Sequence, residues 1–253
     1  YRENPEGPAL AFDAVEGGTE YDYAMAIAID YEGRIVVGGG AGSSPNELPY
    51  VARRLANGGV DTSFAGSDGI RTLTALAAQH VTGIAVDPVL EKVFVSTGEK
   101  LNPEPATCAI ARLRDTGSLD TSWSGDGIVP LTVEEGSNLV AIALQSDGKI
   151  VAAGSLDPDL AAVEGFLLVR LLTDGTLDPS FDDDGRKRIE FDLDLNQLSE
   201  DYALAMTLTG GRILAVGIAT EADVHQVALT RVQSTLVFMD GFERGSTASW
   251  TGK

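Results

Sequence analysis

The chain has 253 residues, 43% of them hydrophobic, enough to bury a core in one large or two small domains, which argues against disorder. Eighteen Lys and Arg stand against 38 Asp and Glu, and the formal charge of −20 opposes binding to nucleic-acid phosphates or anionic lipid. No apolar run approaches the ~18 residues that a membrane-spanning helix needs, so membrane insertion is not expected.

In chain order, Tyr1 and its neighbours resemble neither an initiator nor a signal h-region, and the expectation is that a leader has been removed or the start trimmed. Residues 7–12 form a short apolar run. A small-and-large alternation follows in Ala24-Met25-Ala26-Ile27-Ala28-Ile29, predicted as a first strand, A. Residues 34–39 give a second apolar run ending in glycine (B), and the segment carrying Arg53 gives a third (C). A fourth (D), residues 69–76, follows the turn signal Asp68-Gly69.

The same order then recurs. Gly83-Ile84-Ala85-Val86, Ala141-Ile142-Ala143-Leu144 and Ala205-Met206-Thr207-Leu208 repeat strand A, and residues 93–98, 149–154 and 212–217 repeat strand B. Arg112, Arg170 and Arg231 repeat Arg53, while residues 127–133 and 185–191 repeat strand D behind Asp126-Gly127 and Asp184-Gly185. The repeats run over about 20–76, 80–133, 137–191 and 200–235, within one domain of residues 1–235 and a tail of 236–253. Four antiparallel strands per repeat, with no helical period, read as an all-β fold, a β-propeller of four-stranded blades with four blades in this chain. A β-sandwich or an open solenoid is the competing reading.

The fourth repeat lacks a D strand, and residues 7–12, or 7–13 with Asp13, resemble one. The closing blade is therefore expected to be shared by both termini, which removes an exposed edge. The alternatives left open are that residues 236–239 supply that strand, or that the four blades belong to a longer protein.

The pattern Ala111-Arg112-Leu113, Gly117-Ser118-Leu119-Asp120-Thr121-Ser122-Trp123 and Gly125-Asp126-Gly127, followed by Asp147-Gly148-Lys149-Ile150-Val151-Ala152-Ala153-Gly154, resembles the bacterial delta-60 repeat over residues 7–232. That family is β-propeller-like and uncharacterised in function. The second repeat departs from it at Leu90-Glu91-Lys92, where the Asp-Gly turn should stand. The tail Val237-Phe238-Met239-Asp240-Gly241-Phe242-Glu243-Arg244-Gly245 with Trp250 resembles a short C-terminal motif on secreted proteins of some Gram-negative bacteria. The two resemblances imply a secreted, periplasmic or cell-surface protein.

Chemistry-bearing residues are few. Cys108 is the single cysteine and reads as a buried small hydrophobe. His80 and His225 share no metal-ligand spacing with other candidates, so no zinc site is expected. There is no Gly-x-Ser-x-Gly elbow, Cys/His pair or His-Glu-x-x-His helix. Arg53, Arg112, Arg170 and Arg231 read as structural arginines pairing with Asp61, Asp120 or Asp178 or with loop carbonyls, since an anion pocket seldom needs a copy in every blade. The Asp-Gly turns and Asp182-Asp183-Asp184 read as hairpin chemistry; calcium is the alternative there, and no other cofactor is expected. Gly38-Gly39-Gly40-Ala41-Gly42 lacks the Lys-Ser/Thr of a phosphate loop and reads as a strand end plus loop.

Function is expected at the end of the ring that carries the B–C loops, because these differ between repeats and irregular loops on a rigid scaffold carry most binding residues. The ligand-face candidates are Glu47, Glu104, Asp157, Asp159, Glu221, Asp223 and His225; a solvated acidic rim is the bland reading. The sequence thus points to a non-enzymatic extracytoplasmic module binding a protein or glycan partner at the cell surface. A propeller hydrolase or lyase using a divalent cation at the axial mouth is the alternative.

Overall fold

The computed structural model describes residues 21–42, 47–66, 68–76, 78–98, 108–131, 137–156, 165–191, 201–221 and 224–233. Every regular element among them is a strand, in the order β1 (Tyr21–Ile29), β2 (Ile35–Gly42), β3 (Leu48–Arg54), β4 (Ile70–Thr72), β5 (Val81–Asp87), β6 (Lys92–Thr97), β7 (Cys108–Leu113) and β8 (Ile128–Leu131). There follow β9 (Ser137–Leu144), β10 (Ile150–Leu156), β11 (Phe166–Leu171), β12 (Arg186–Ile189), β13 (Tyr202–Thr209), β14 (Arg212–Glu221) and β15 (Val224–Gln233). They pair antiparallel in sequence order into sheets β1–β4, β5–β8, β9–β12 and β13–β15, the up-and-down blades of a β-propeller.

The first strand of each blade lies innermost, with β5 packed on β1, β9 on β5 and β13 on β9. Three apolar layers lie between consecutive blades. Val36 and Val51 of the first meet Val81, Val93 and Val95 of the second; Phe94 and Ile110 of the second meet Leu139, Ile142 and Ile150 of the third. Val151, Phe166 and Leu168 of the third meet Ala203, Ile213 and Ala215 of the fourth. A blade covered on both faces needs apolar side chains on both, and β11 is buried at all six positions.

Each inner strand carries a β-bulge near its start, where the register shifts between Ala24 and Ala26, Val81 and Gly83, Leu139 and Ala141, and Ala203 and Ala205. The bulge drives the carbonyl of Tyr23, Asn138 or Tyr202 against the facing strand. A Cβ at Gly39, Gly154 or Gly217 would collide with that carbonyl, so glycine closes strand B for a steric reason. In the second blade Thr97 takes the position, and the glycine moves to Gly83, whose Cβ would lie 2.6 Å from Ser96 Oγ.

Several boundaries differ from expectation. The D strands are short: β4 has three residues because the chain turns after Leu73, whose carbonyl accepts the Leu76 amide at 2.9 Å. The glycine run 38–42 remains inside β2 rather than opening into a loop, paired to β1 throughout and to β3 as far as Ala41. In the fourth repeat the B–C connection, expected as an irregular loop, is instead the close meeting of β14 and β15, paired as far as Glu221 and Val224. The fourth sheet has three strands among the described residues, and Val227 on β15 is 80% exposed where its repeat equivalents Cys108 and Phe166 are buried. Residues 7–13 and the tail 236–253, on which the closure reading rests, lie outside the described residues.

Candidate functional site

The repeated arginines stand at the end of each blade that carries the A–B and C–D connections. Arg53 Nε donates to Asp61 Oδ2 at 2.6 Å and its Nη2 to Ser63 Oγ at 3.2 Å, while the guanidinium lies 4.8 Å above the Phe64 ring. Asp61 Oδ1 in turn accepts the Ser63 amide and hydroxyl, which fixes the loop. Arg170, Asp178, Ser180 and Phe181 repeat this arrangement, with Nε 2.7 Å from Asp178 Oδ2 and the ring at 4.6 Å. In the second blade Arg112 reaches Asp120 through Nη2 at 3.0 Å and lies 5.5 Å from Trp123, but its buried Nε has no hydrogen-bond partner among the described residues. Arg231 lies on β15 opposite Leu214, with no Asp-x-Ser-aromatic segment after it.

A second cation serves each aspartate. Strand B opens on Arg34, Lys92 or Lys149, and these reach Asp61, Asp120 and Asp178 at 3.9, 4.0 and 3.0 Å. Burial opposes ionisation of these carboxyls, but the serine hydrogen bonds and the arginine charge outweigh it; all three sit below the usual range, Asp120 at about 2. Neighbouring blades lock at the same end. Asp115 of the second blade accepts Arg34 Nη2 at 2.8 Å and Arg53 Nη1 at 2.5 Å from the first. Trp123 Nε1 donates to the Thr173 carbonyl at 3.1 Å, and the ring faces Gly175 as Phe64 faces Gly117. These charges are occupied in holding the blades together.

The opposite end is where the side chains cease to repeat. The residue at the bulged start of the inner strand is Tyr23, His80, Asn138 or Tyr202 in the four blades, facing Gly40, Gly98, Ser155 and Ile218 across the ladder. Tyr23 Oη donates to Glu47 Oε2 at 2.8 Å and lies 3.3 Å from His80 Nδ1, so one phenol joins the first two blades. Gly40 makes room for this: a Cβ there would lie 2.7 Å from Tyr23 Oη and 3.1 Å from His80 Cβ. Burial, then the bond to Glu47, pushes the Tyr23 phenol well above its usual value. Burial also pulls His80 down, against the opposing pull of Glu47, so near neutrality the ring is uncharged.

Among the sequence candidates, Glu47 joins this node. Glu221 ends β14; His225 is exposed on β15, its Nδ1 3.0 Å from Thr220 Oγ1. Glu104, Asp157, Asp159 and Asp223 lie outside the described residues. Tyr23, His80 and Asn138 are missed when motifs are sought, because their types differ from repeat to repeat. Counting three residues back from Ala26, Gly83 and Ala141 finds them. Among the described residues no three His, Cys, Asp or Glu side chains gather as a metal site; Asp182 accepts Lys187 Nζ at 3.1 Å and Asp184 the Arg186 amide at 2.8 Å.

Residues 33–64 and 145–181 match the family described as "Domain of unknown function (DUF5122) beta-propeller". Each stretch runs from the turn before strand B to the aromatic of the Arg-Asp-Ser-aromatic cluster. The comparison with curated proteins gives no match. Among solved structures, one described as a GH43_12 retrieved from capybara gut metagenome is similar at 11% identity and a TM-score of 0.44, over 84% of this chain and 40% of that one. The chain spans less than half the length of that protein.

Proposed function

We propose that this chain is a non-enzymatic, extracytoplasmic β-propeller of the delta-60 repeat kind, whose B–C end binds a protein or glycan partner at a bacterial cell surface. The observation that carries this reading is the node of Tyr23, Glu47 and His80, in which non-repeating polar side chains from two blades are gathered at one end. The other end supports it by contrast, since its repeated charges are consumed in ion pairs within and between blades. A rigid scaffold with one regular and one variable end suits recognition, in which binding groups sit on irregular connections. The sequence of the C-terminal tail supports a secreted protein.

The test neutralises Glu47, Asp157, Asp159, Glu221 and Asp223 together. Folding is expected to stay intact, because substitutions away from caps and cores cost little and Glu47→Gln keeps an oxygen that accepts the Tyr23 hydroxyl. Capture from cell-envelope extracts, run with native and neutralised protein, is expected to lose specific partners, and the loss should shrink at high salt. Identical partner sets would remove the B–C end from consideration.

A further inference from the structure

The two terminal blades each keep one apolar face uncovered. On β1, Ile27 and Ile29 are 70% and 61% exposed, while the same positions in the later blades, Ile84 and Val86, Ile142 and Leu144, Met206 and Leu208, pack against the blade before. On the fourth blade Leu204 is 56% exposed and Leu214 and Val216 are half-buried. Their equivalents in the third blade, Val140, Val151 and Ala153, pack against the blade that follows. Val227 pairs with Ile218 on that same face and is bare. Among the described residues no apolar layer joins β1 to β13, so the two faces do not cover each other within one chain.

We propose that two copies of the chain associate head to tail, the fourth blade of each seated on the first blade of the other, so that two arcs of four blades close one ring of eight. Each open face is one half of a contact that the chain already makes three times. The first blade offers the half that later blades press on their predecessors, and the fourth offers the half that earlier blades press on their successors. Contact between unlike faces either closes into a ring or runs on as a filament, and a two-fold ring uses the contact twice and leaves neither face open. Propellers run from four to eight blades, so two arcs reach the upper limit and three would pass it. Apolar burial drives the association against the repulsion between two copies that each carry a charge of −20.

Sedimentation of the whole chain is expected to give twice the 26.5 kDa of one copy, and the association should tighten as salt screens the like charges. Ile27→Glu and Leu204→Glu each put a charge into one half of the contact. Both side chains are exposed in the single chain, so circular dichroism should stay native while each variant sediments as one copy. Mixed at high concentration, the two variants should pair again, because the intact fourth blade of the Ile27→Glu copy meets the intact first blade of the Leu204→Glu copy. Should either variant lose its fold, Ile29→Glu and Val227→Glu take their places with the same expected results. A native chain that sediments as one copy, or as more than two, overturns the proposal. So does a single variant that still dimerises, which would mean that like faces meet, or a mixture that stays monomeric.

Discussion

Asp120 has Arg112 at 3.0 Å, Arg114 at 3.4 Å and Lys92 at 4.0 Å, and takes hydrogen bonds from Ser122 besides. Its folded-state pKa of about 2 lies below the ~3.9 of an unfolded Asp. Between those values the native chain binds fewer protons than the unfolded chain, so stability falls as pH falls. The contribution of Asp120 is complete above about pH 4 and is lost as pH drops through about 2. Asp120→Asn should flatten this part of the acid-unfolding curve, measured by urea denaturation at stepped pH. An unchanged slope would mean that the carboxylate does not titrate as its surroundings imply. The eight-residue spacing from Arg53 to Asp61, from Arg112 to Asp120 and from Arg170 to Asp178 is plain in the sequence. Asp115 is not, because its partners Arg34 and Arg53 come from another repeat and no copy of it stands in the others.

Strands were legible wherever a fixed backbone demand forces a residue type. The closing glycine of strand B and the Asp-Gly turns are such demands, so the order of elements could be read before any boundary. Boundaries were harder. The run 38–42 has the composition of a loop, yet it pairs with β1 throughout and with β3 as far as Ala41, because the bulge opposite needs glycine at Gly39 and Gly38 lies against Val81 and Ile84 of the second blade. The second A–B turn shows the converse. Where the first and third repeats place Gly33 and Gly148 at φ of 76° and 81°, the second places Glu91 at 55°, with Asp87 Oδ1 accepting the Val89 and Leu90 amides to hold the turn. A side chain in that left-handed region is strained, so Glu91→Gly is expected to stabilise the protein by about 0.5–1 kcal/mol, after allowing for the entropy glycine loses. A thermal melt that moves downward would show that the Glu91 side chain contributes more than its backbone costs.

At the scale of the whole molecule, repetition made the propeller legible, and the ends of the repetition are where reading stops. Ile27 on β1 is 70% exposed, although its equivalents Ile84, Ile142 and Met206 pack toward the preceding blade, and Val227 is bare on the last. Nothing in a local motif says what meets a terminal blade, since that depends on residues beyond the last repeat. If residues 7–12 supply the fourth strand beside β15, deleting residues 1–13 should lower the melting temperature by several degrees, as an exposed edge and Val227 lose their cover. An unchanged melt would assign that edge to another segment. The bulge at the start of each inner strand has a different consequence. Because the backbone constraint there falls on the carbonyl, tucked over glycine in three of the four blades, it does not dictate the side-chain type, and Tyr, His and Asn occupy the one register. Such a register is a slot that selection can rewrite one blade at a time, so the side chains presented at this end are free to drift while the architecture stays still.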